Sequence, residues 1–266
     1  MGKFDGILIC TDLDGTFLHE AKASRENCEA IRYFQENGGY FTVCTGRSYK
    51  FVHSFDSYKP NAPLIVSNGT LICHHETKEI MDYIPMPDYT AAAVDELSQS
   101  PFADFIFLYD KADGGTHMDG GDMRRWDKTM AEKPSERFVK VEKPWLKMLL
   151  QQKTPEDNVA IQEYIHMMWP GMFSTSRSYS IGLELHSPEG GKGPCVDRLR
   201  KLMPDVRLVI GAGDYENDIS LLKHADIGYA VENALPEVKA AADRITVDCT
   251  AHAIAQIICD IEREFT

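Results

Sequence analysis

Asp12 and Asp14 stand two residues apart, directly behind the apolar run Gly6-Ile7-Leu8-Ile9-Cys10-Thr11. Carboxylates held so close repel one another unless a proton or a cation lies between them. A site rich in carboxylate oxygen suits magnesium, which usually keeps some of its waters. A second pair, Asp214 and Asp218, is four residues apart across a predicted helix start. That spacing lets both share one face, and a helix N-terminus tolerates negative charge. Either pair alone is also ordinary turn or cap chemistry. Two such pairs at strand ends, with a Thr-Gly and a lysine available, point instead to a metal-assisted anion site.

Thr45-Gly46 offers a hydroxyl and unhindered backbone donors to an anion, and Arg47 beside it could pair with a carboxylate or a phosphate. Lys192 follows Gly190-Gly191 and precedes a predicted helix, where an ammonium can neutralise a carboxylate or a phosphoryl oxygen. Taken singly, each of these is equally a turn or a solvated surface residue. The His74-His75 doublet is a poor metal site, because adjacent side chains rarely face one ligand and no partner stands at a known spacing.

These residues need a frame that brings them together. Gly6–Thr11, Tyr40–Cys44 and Pro63–Ser67 read as strands separated by helical stretches, the first with Ser24 as its N-cap and Gly38-Gly39 as its stop. Short continuous apolar runs of this kind suit strands covered on both faces. The same grammar returns near the C-terminus. A helix is predicted from Pro194 to Met203, followed by strands at Val206–Ile210, Ile227–Val231 and Arg244–Val247, and a last amphipathic helix carries Ile254, Ile257, Ile258 and Ile261. Strand–helix alternation implies a parallel sheet with right-handed crossovers. In such sheets ligands bind beyond the carboxyl ends of the strands. Four strand ends carry suitable residues: Asp12–Thr16, Thr45–Arg47, Asn68-Gly69, and Gly213-Asp214 with Asn217-Asp218. All four sets are expected to converge on one rim.

The middle of the chain reads differently. Between about Pro85 and Ser187 the pattern is α+β, with strands expected at Phe105–Tyr109 and Trp145–Leu150 and a helix at Pro155–Met168. A hairpin is expected from Phe173–Arg177 and Tyr179–Leu185, turning near Arg177-Ser178. The stretch Lys111–Lys143, rich in Gly, Asp, Lys and Arg, gives no clear element. The fold class expected is α/β, a Rossmann-like parallel-sheet core formed by residues 1–84 and 188–266, with an inserted α+β domain at 85–187.

Composition narrows the function classes. The 266 residues are 43% hydrophobic and 26% charged, which excludes a disordered chain. No apolar stretch approaches the ~18–20 residues a membrane helix needs. The N-terminus meets Asp5 before any long apolar segment, so export is not expected. A net charge of -13 argues against a nucleic-acid or anionic-membrane partner, yet leaves room for a small phosphorylated ligand in a local pocket. Seven cysteines without a C-x-x-C pair suit free thiols in a reducing cytoplasm.

In their order, Asp12-Leu13-Asp14-Gly15-Thr16, Thr45-Gly46-Arg47, Lys192-Gly193 and Gly213-Asp214-Tyr215-Glu216-Asn217-Asp218 resemble the four motifs of the haloacid-dehalogenase (HAD) superfamily, and the long insertion resembles the α+β cap of its Cof-type phosphatases. The resemblance spans nearly the whole chain. It implies a nucleophilic Asp12 that forms an aspartyl-phosphate and an Asp14 that serves as general acid and then general base. It implies magnesium held by the Asp12 carboxylate, the Asp14 carbonyl and Asp214, with Asp218 supporting the site directly behind them or through water. Thr45, Gly46, Lys192 and Asn217 would bind phosphoryl oxygens, with Arg47 and Asn68 as further members of the pocket. The cap would select the leaving group through residues such as His117, Arg124, Arg125 and Arg177, closing on hinges near Pro85–Pro87 and Ser187–Gly191. The implied activity is magnesium-dependent hydrolysis of a small phosphomonoester, such as a sugar phosphate or a phosphorylated cofactor. Two alternatives share the chemistry. One is a phosphomutase on the same fold. The other is a non-catalytic signalling domain phosphorylated on Asp12, which the large insertion and the neighbouring Asp14 disfavour. A homo-oligomer is left open.

Overall fold

The structure is a computed structural model that describes residues 2–100, 106–111 and 144–265. Along the chain, β1 (Ile7–Thr11) leads into a small hairpin of β2 (Leu18–His19) and β3 (Lys22–Ala23), then α1 (Arg25–Glu36) and β4 (Tyr40–Val43). A 3-10 segment at Tyr49–Tyr58 precedes β5 (Leu64–Val66), β6 (Leu71–Cys73) and β7 (Ile80–Tyr83). The middle contributes α2 (Thr90–Ser98), β8 (Ile106–Lys111), β9 (Trp145–Gln151), α3 (Pro155–Met168), β10 (Ser174–Tyr179) and β11 (Gly182–His186). The last part holds α4 (Lys192–Leu202), β12 (Leu208–Gly213), α5 (Ile219–His224), β13 (Ile227–Ala230), α6 (Pro236–Ala241), β14 (Arg244–Ile245) and α7 (Ala253–Phe265).

Five strands form a parallel sheet in the order β14-β13-β12-β1-β4. Every residue of β1 is buried, because helices cover both faces of the sheet. Successive side chains alternate faces along a strand. Ile7 and Ile9 accordingly pack with Ile31 and Phe34 of α1 and with Ile254, Ile257, Ile258 and Ile261 of α7. Leu8 and Cys10 pack on the other side with Cys195, Val196 and Leu199 of α4. Helix α1 starts where its sequence predicts: the Ser24 hydroxyl accepts from the Asn27 N–H at 3.2 Å, a cap of about 1 kcal/mol. Among the described residues no helix is long and apolar enough to cross a membrane.

The third predicted strand forms where expected and gains two neighbours that the sequence pattern does not announce. β5 runs parallel to the end of β4, through a bridge between Cys44 and Ile65 and the Thr45 N–H donating to the Ile65 carbonyl at 3.0 Å, but it also pairs antiparallel with β6, which pairs antiparallel with β7. Ser67, Asn68 and Gly69 all have positive φ, so the chain reverses at once and the apolar Leu71-Ile72-Cys73 returns alongside β5.

The middle strands form a separate antiparallel sheet in the order β10-β11-β9-β8. One face is apolar, with Met148, Leu150, Leu183 and Leu185 packed on Ile161 and Ile165 of α3 and Val94 and Leu97 of α2. Helix α3 begins with Thr154, whose hydroxyl accepts from the Asp157 N–H at 3.1 Å, and has proline in its first turn. The β10–β11 hairpin turns at Ser180-Ile181, since Tyr179 pairs with Gly182, and not at Arg177-Ser178. Gly182 has no side chain, and the Tyr179 ring occupies the space where one would stand. Most of Lys111–Lys143, with His117, Arg124 and Arg125, lies outside the described residues.

Candidate active site

β1 and β12 are neighbours in register, Thr11 opposite Ala212. The Asp12 N–H extends the pairing by donating to the Ala212 carbonyl at 2.9 Å. Beyond this last rung both strands open into loops, and their carboxylates meet. Asp12, Asp214 and Asp218 each present a carboxylate oxygen within 4.8 Å of the others. Asp218 is completely buried. Its Oδ2 accepts from the N–H groups of Asp214 and Tyr215 at 3.0 and 3.1 Å, which ties the loop into its shape. The Lys192 ammonium, at the first turn of α4, donates to Asp12 Oδ1 and Asp218 Oδ1, both at 2.6 Å. Thr16 Oγ1 donates to Asp214 Oδ1 at 2.7 Å.

The remaining predicted residues fall around this cluster. Arg47 grips Asp14 with two hydrogen bonds, Nε to Oδ2 at 2.8 Å and a terminal nitrogen to Oδ1 at 2.6 Å. The Asp14 carboxylate is half exposed and is turned to Arg47, outside the three-carboxylate group. Thr45 is buried, and its hydroxyl oxygen accepts from the Arg47 N–H at 3.1 Å. Asn68 has a left-handed backbone (φ 56°, ψ 37°) that aims its amide across the rim. Asn68 Oδ1 accepts from Asn217 Nδ2 at 3.2 Å, and its Nδ2 donates to Ser176 Oγ at 2.9 Å. The four strand ends singled out in the sequence therefore do share one rim.

Charge decides what this rim can hold. Burial pushes the Asp12 carboxyl well above the usual carboxylate range; Lys192 pulls it back, while Asp218 and Asp214 add to the rise. Asp214 is pushed up to about 7, by burial first and then by the charge of Asp218. Burial alone would lower the Lys192 ammonium, but Asp12 and Asp218 outweigh it and hold it well above its ordinary value. Three carboxylates against one ammonium leave excess negative charge in a largely buried site. Oxygen donors with uncompensated charge are what a hard divalent cation requires, so the residues present fit magnesium.

A family model for haloacid dehalogenase-like hydrolases matches residues 9–258. The chain belongs to this family. It is 28% identical over 271 aligned positions to the pyridoxal phosphate phosphatase YbhA of Escherichia coli, covering 94% of this chain and 97% of that one. Among solved structures, a haloacid dehalogenase-like hydrolase from Bacteroides thetaiotaomicron superposes with a TM-score of 0.73 at 24% identity, over 97% of this chain and 99% of its own. The subclass IIB sugar phosphatase BT4131 superposes with a TM-score of 0.76 at 18% identity, over 96% and 98%. The chain is an enzyme of the phosphatase class.

Sequence reasoning missed several residues around the rim of this haloacid dehalogenase-like hydrolase. Thr16, which orients Asp214, sits inside the first motif but reads as a turn residue. Lys147 of β9 donates to the Gly46 carbonyl at 2.5 Å and to Glu184 of β11 at 3.0 Å. Glu216, next to Asn217, accepts from Gln162 at 3.3 Å and from Arg177, a residue already named from the sequence. A lysine, a glutamate or a glutamine within strands and helices carries no spacing signal that would mark it. Only the three-dimensional approach of the antiparallel sheet to the rim reveals them.

Proposed function

We propose that the chain is a magnesium-dependent phosphomonoester hydrolase acting on a small phosphorylated metabolite through a phosphoryl group carried transiently on Asp12. In this reading residues 1–84 and 188–266 are the catalytic core, and 85–187 are the cap that encloses the leaving group. One observation carries it: a fully buried ammonium, Lys192, shared between Asp12 and Asp218 with Asp214 beside them, at the ends of two adjacent parallel strands. Asp12, Asp214 and the Asp14 carbonyl would hold the ion. Asp218, whose oxygens already accept from Lys192 and two backbone N–H groups, would act on it through water. When bound, the ion supplies the positive charge that lets a carboxylate approach a phosphate dianion.

The chain's own residues do the rest. An Asp12 carboxylate oxygen attacks phosphorus; the new O–P bond forms as the bond to the leaving oxygen breaks. Asp14 gives its proton to that oxygen. Asp14 then takes a proton from water, whose oxygen attacks the same phosphorus, releasing inorganic phosphate and restoring the Asp12 carboxylate. For this Asp14 must leave the Arg47 guanidinium that holds it. The Thr45 hydroxyl, the Gly46 N–H, Lys192 and Asn217 supply donors for the phosphoryl oxygens, where charge accumulates during transfer. Relatives that hydrolyse pyridoxal phosphate and sugar phosphates support a substrate of metabolite size. A reducing cytoplasm suits this role, since all seven cysteines are free thiols.

Asp12→Asn removes the nucleophile with almost no change in volume. Phosphate release should fall by at least ~10³-fold, while the melting temperature stays within a few degrees of the parent. Near-normal turnover in that variant would refute the assignment, and an isomerised sugar phosphate without free phosphate would identify a mutase instead.

A further inference from the structure

Between β13 and α6 the chain passes through Val231-Glu232-Asn233-Ala234-Leu235. None of these residues belongs to the four acidic and basic motifs, yet this loop bonds both segments that carry the acidic cluster. Its backbone holds the segment after β12: the Val231 N–H donates to the Gly213 carbonyl at 3.3 Å, and the Leu235 N–H to the Asp214 carbonyl at 3.0 Å. Its Asn233 side chain holds the segment after β1, with Nδ2 donating to the Gly15 carbonyl at 2.8 Å. Val231 and Ala234 are buried in an apolar cluster with Leu222, Val238 and Ala253, so Asn233 has a fixed base on either side.

The Asn233 amide has one orientation that satisfies its partners. Oδ1 accepts from the Cys249 N–H at 2.9 Å, at the start of the short 3-10 turn Cys249–Ala251. A backbone N–H only donates and a carbonyl only accepts, so Oδ1 must face Cys249 and Nδ2 must face Gly15. Ordinary turn chemistry explains an asparagine that bonds its own loop. This one bonds positions 218 and 16 residues away.

Gly15 is where the two acidic segments touch, since a Cβ there would lie 2.5 Å from Asp214 Oδ2. Both of its polar groups are held. Its N–H donates to the Leu18 carbonyl at 3.0 Å, and because a peptide is planar and trans this turns the Asp14 carbonyl away from Leu18. Its own carbonyl, held by Asn233, belongs to the peptide that leads into Thr16, whose hydroxyl donates to Asp214 Oδ1 at 2.7 Å.

We infer that Asn233 is a positioning residue for the magnesium site: by holding Gly15 from the loop that also holds Asp214, it fixes the separation between the Asp14 carbonyl and the Asp214 carboxylate. The inference rests on the magnesium part of the proposed function and adds a residue outside the ligand set. Groups that stand behind metal ligands commonly change metal affinity by ~10–100-fold. Asn233 is itself exposed, so its replacement should cost the fold little.

The test measures manganese binding to the full chain, without substrate, from the electron paramagnetic resonance signal of the free ion, with magnesium as competitor. Asn233→Ala should raise the manganese Kd by ~10-fold or more, while the melting temperature of the metal-free chain stays within a few degrees of the parent. Asn233→Asp separates position from charge. Added negative charge alone would tighten a cation, whereas loss of the donor to Gly15 loosens it; the Kd should rise above the parent's. Cys249→Pro removes only the N–H that orients Oδ1. Asp248 already has φ −57° and ψ 149°, extended backbone that suits a residue before proline. Cys249→Pro should raise the Kd by a smaller factor, and adding it to Asn233→Ala should change nothing further. It also covers the case in which the Asn233 variants fail to fold. An unchanged Kd in Asn233→Ala, a Kd in Asn233→Asp at or below the parent's, or independent effects of Asn233 and Cys249 would overturn the inference while leaving the metal site intact. A parent chain that binds neither manganese nor magnesium overturns the metal reading, and the inference falls with it.

Discussion

A lysine ammonium with almost no exposed surface is costly to bury, and Lys192 is tolerated because two carboxylates accept from it. Those carboxylates are in turn crowded by Asp214, and the price appears in their protonation. Asp12 and Asp214 both titrate above the ordinary carboxylate range, Asp214 at about 7. The sign of the linkage follows. A carboxyl raised in the folded state adds stability while protonated; the contribution is full below its unfolded pKa of ~3.9 and is lost as pH rises through the folded value. The metal-free protein should therefore lose stability between about pH 4 and about pH 7 from this pair. Magnesium binds deprotonated carboxylates, so it should restore what ionisation removes. The rise in Tm on adding saturating magnesium should be small near pH ~5.5 and larger by at least ~3 °C near pH ~8, where ~1 kcal/mol moves a chain of this size by ~2–4 °C. Differential scanning calorimetry at the two pH values decides it; an equal or larger rise at the lower pH would contradict the arrangement of charges.

At the scale of elements, the turn after β1 determines whether Asp214 can reach the cluster. Gly15 sits there with φ +91°, and a Cβ at that position would lie 2.5 Å from Asp214 Oδ2. Gly15→Ala should strain the backbone by ~1–2 kcal/mol and push Asp214 away from Asp12. The magnesium concentration giving half-maximal activity should rise ~10-fold or more, for loss of one ligand at ~1.4 kcal/mol per factor of ten; an unchanged metal titration would place Asp214 outside the site. Glycine in Asp14-Gly15 is legible in sequence as a turn, but its contact with a residue some two hundred positions later is not. The same division holds more widely. β1 was readable because an apolar run buried on both faces has few other meanings, and α1 because Ser24 and Gly38 mark its ends. The antiparallel β6 beside β5 is not legible, because its return depends on the left-handed turn at Ser67–Gly69, which the Ser-Asn-Gly triplet suggests but does not orient. The hairpin turn was misplaced by three residues because the pairing of Tyr179 with Gly182 outweighs the polar Arg177-Ser178. At the site, clustered acidic residues announced themselves by spacing, whereas Lys147 and Glu184 look like the ordinary polar half of alternating strands.

On the scale of the whole molecule, the antiparallel sheet meets the parallel-sheet rim through several polar ties, with Leu146 of β9 reaching into the apolar core beneath. Lys147 reaches Gly46, Ser176 meets Asn68, and Arg177 with Gln162 holds Glu216. Each tie lands within one residue of a group expected to bind the phosphoryl oxygens or to shape their pocket. Under the proposed function, seating the sheet would order the rim in the same step, as a closing lid completes a site. The Arg177–Glu216 pair is the sharpest place to test this, because Glu216 directly precedes Asn217. Both side chains keep some solvent contact, at 31% and 19% exposure, so their contribution to global stability should be small. Their effect on catalysis should be larger and shared. Arg177→Met and Glu216→Gln should each lower kcat/KM by ~3–10-fold, and the double variant should be no worse than the weaker single variant, a coupling of the order of 1 kcal/mol. Multiplicative losses in the double variant would mean that the two residues act separately, and that the sheet does not order the Asn217 loop through this pair. The cycle should be run at two salt concentrations, since an ion pair with partial exposure is screened. Coupling that weakens as salt rises, while the activity of the double variant stays level, would locate the effect in the charge pair itself and not in repacking around it.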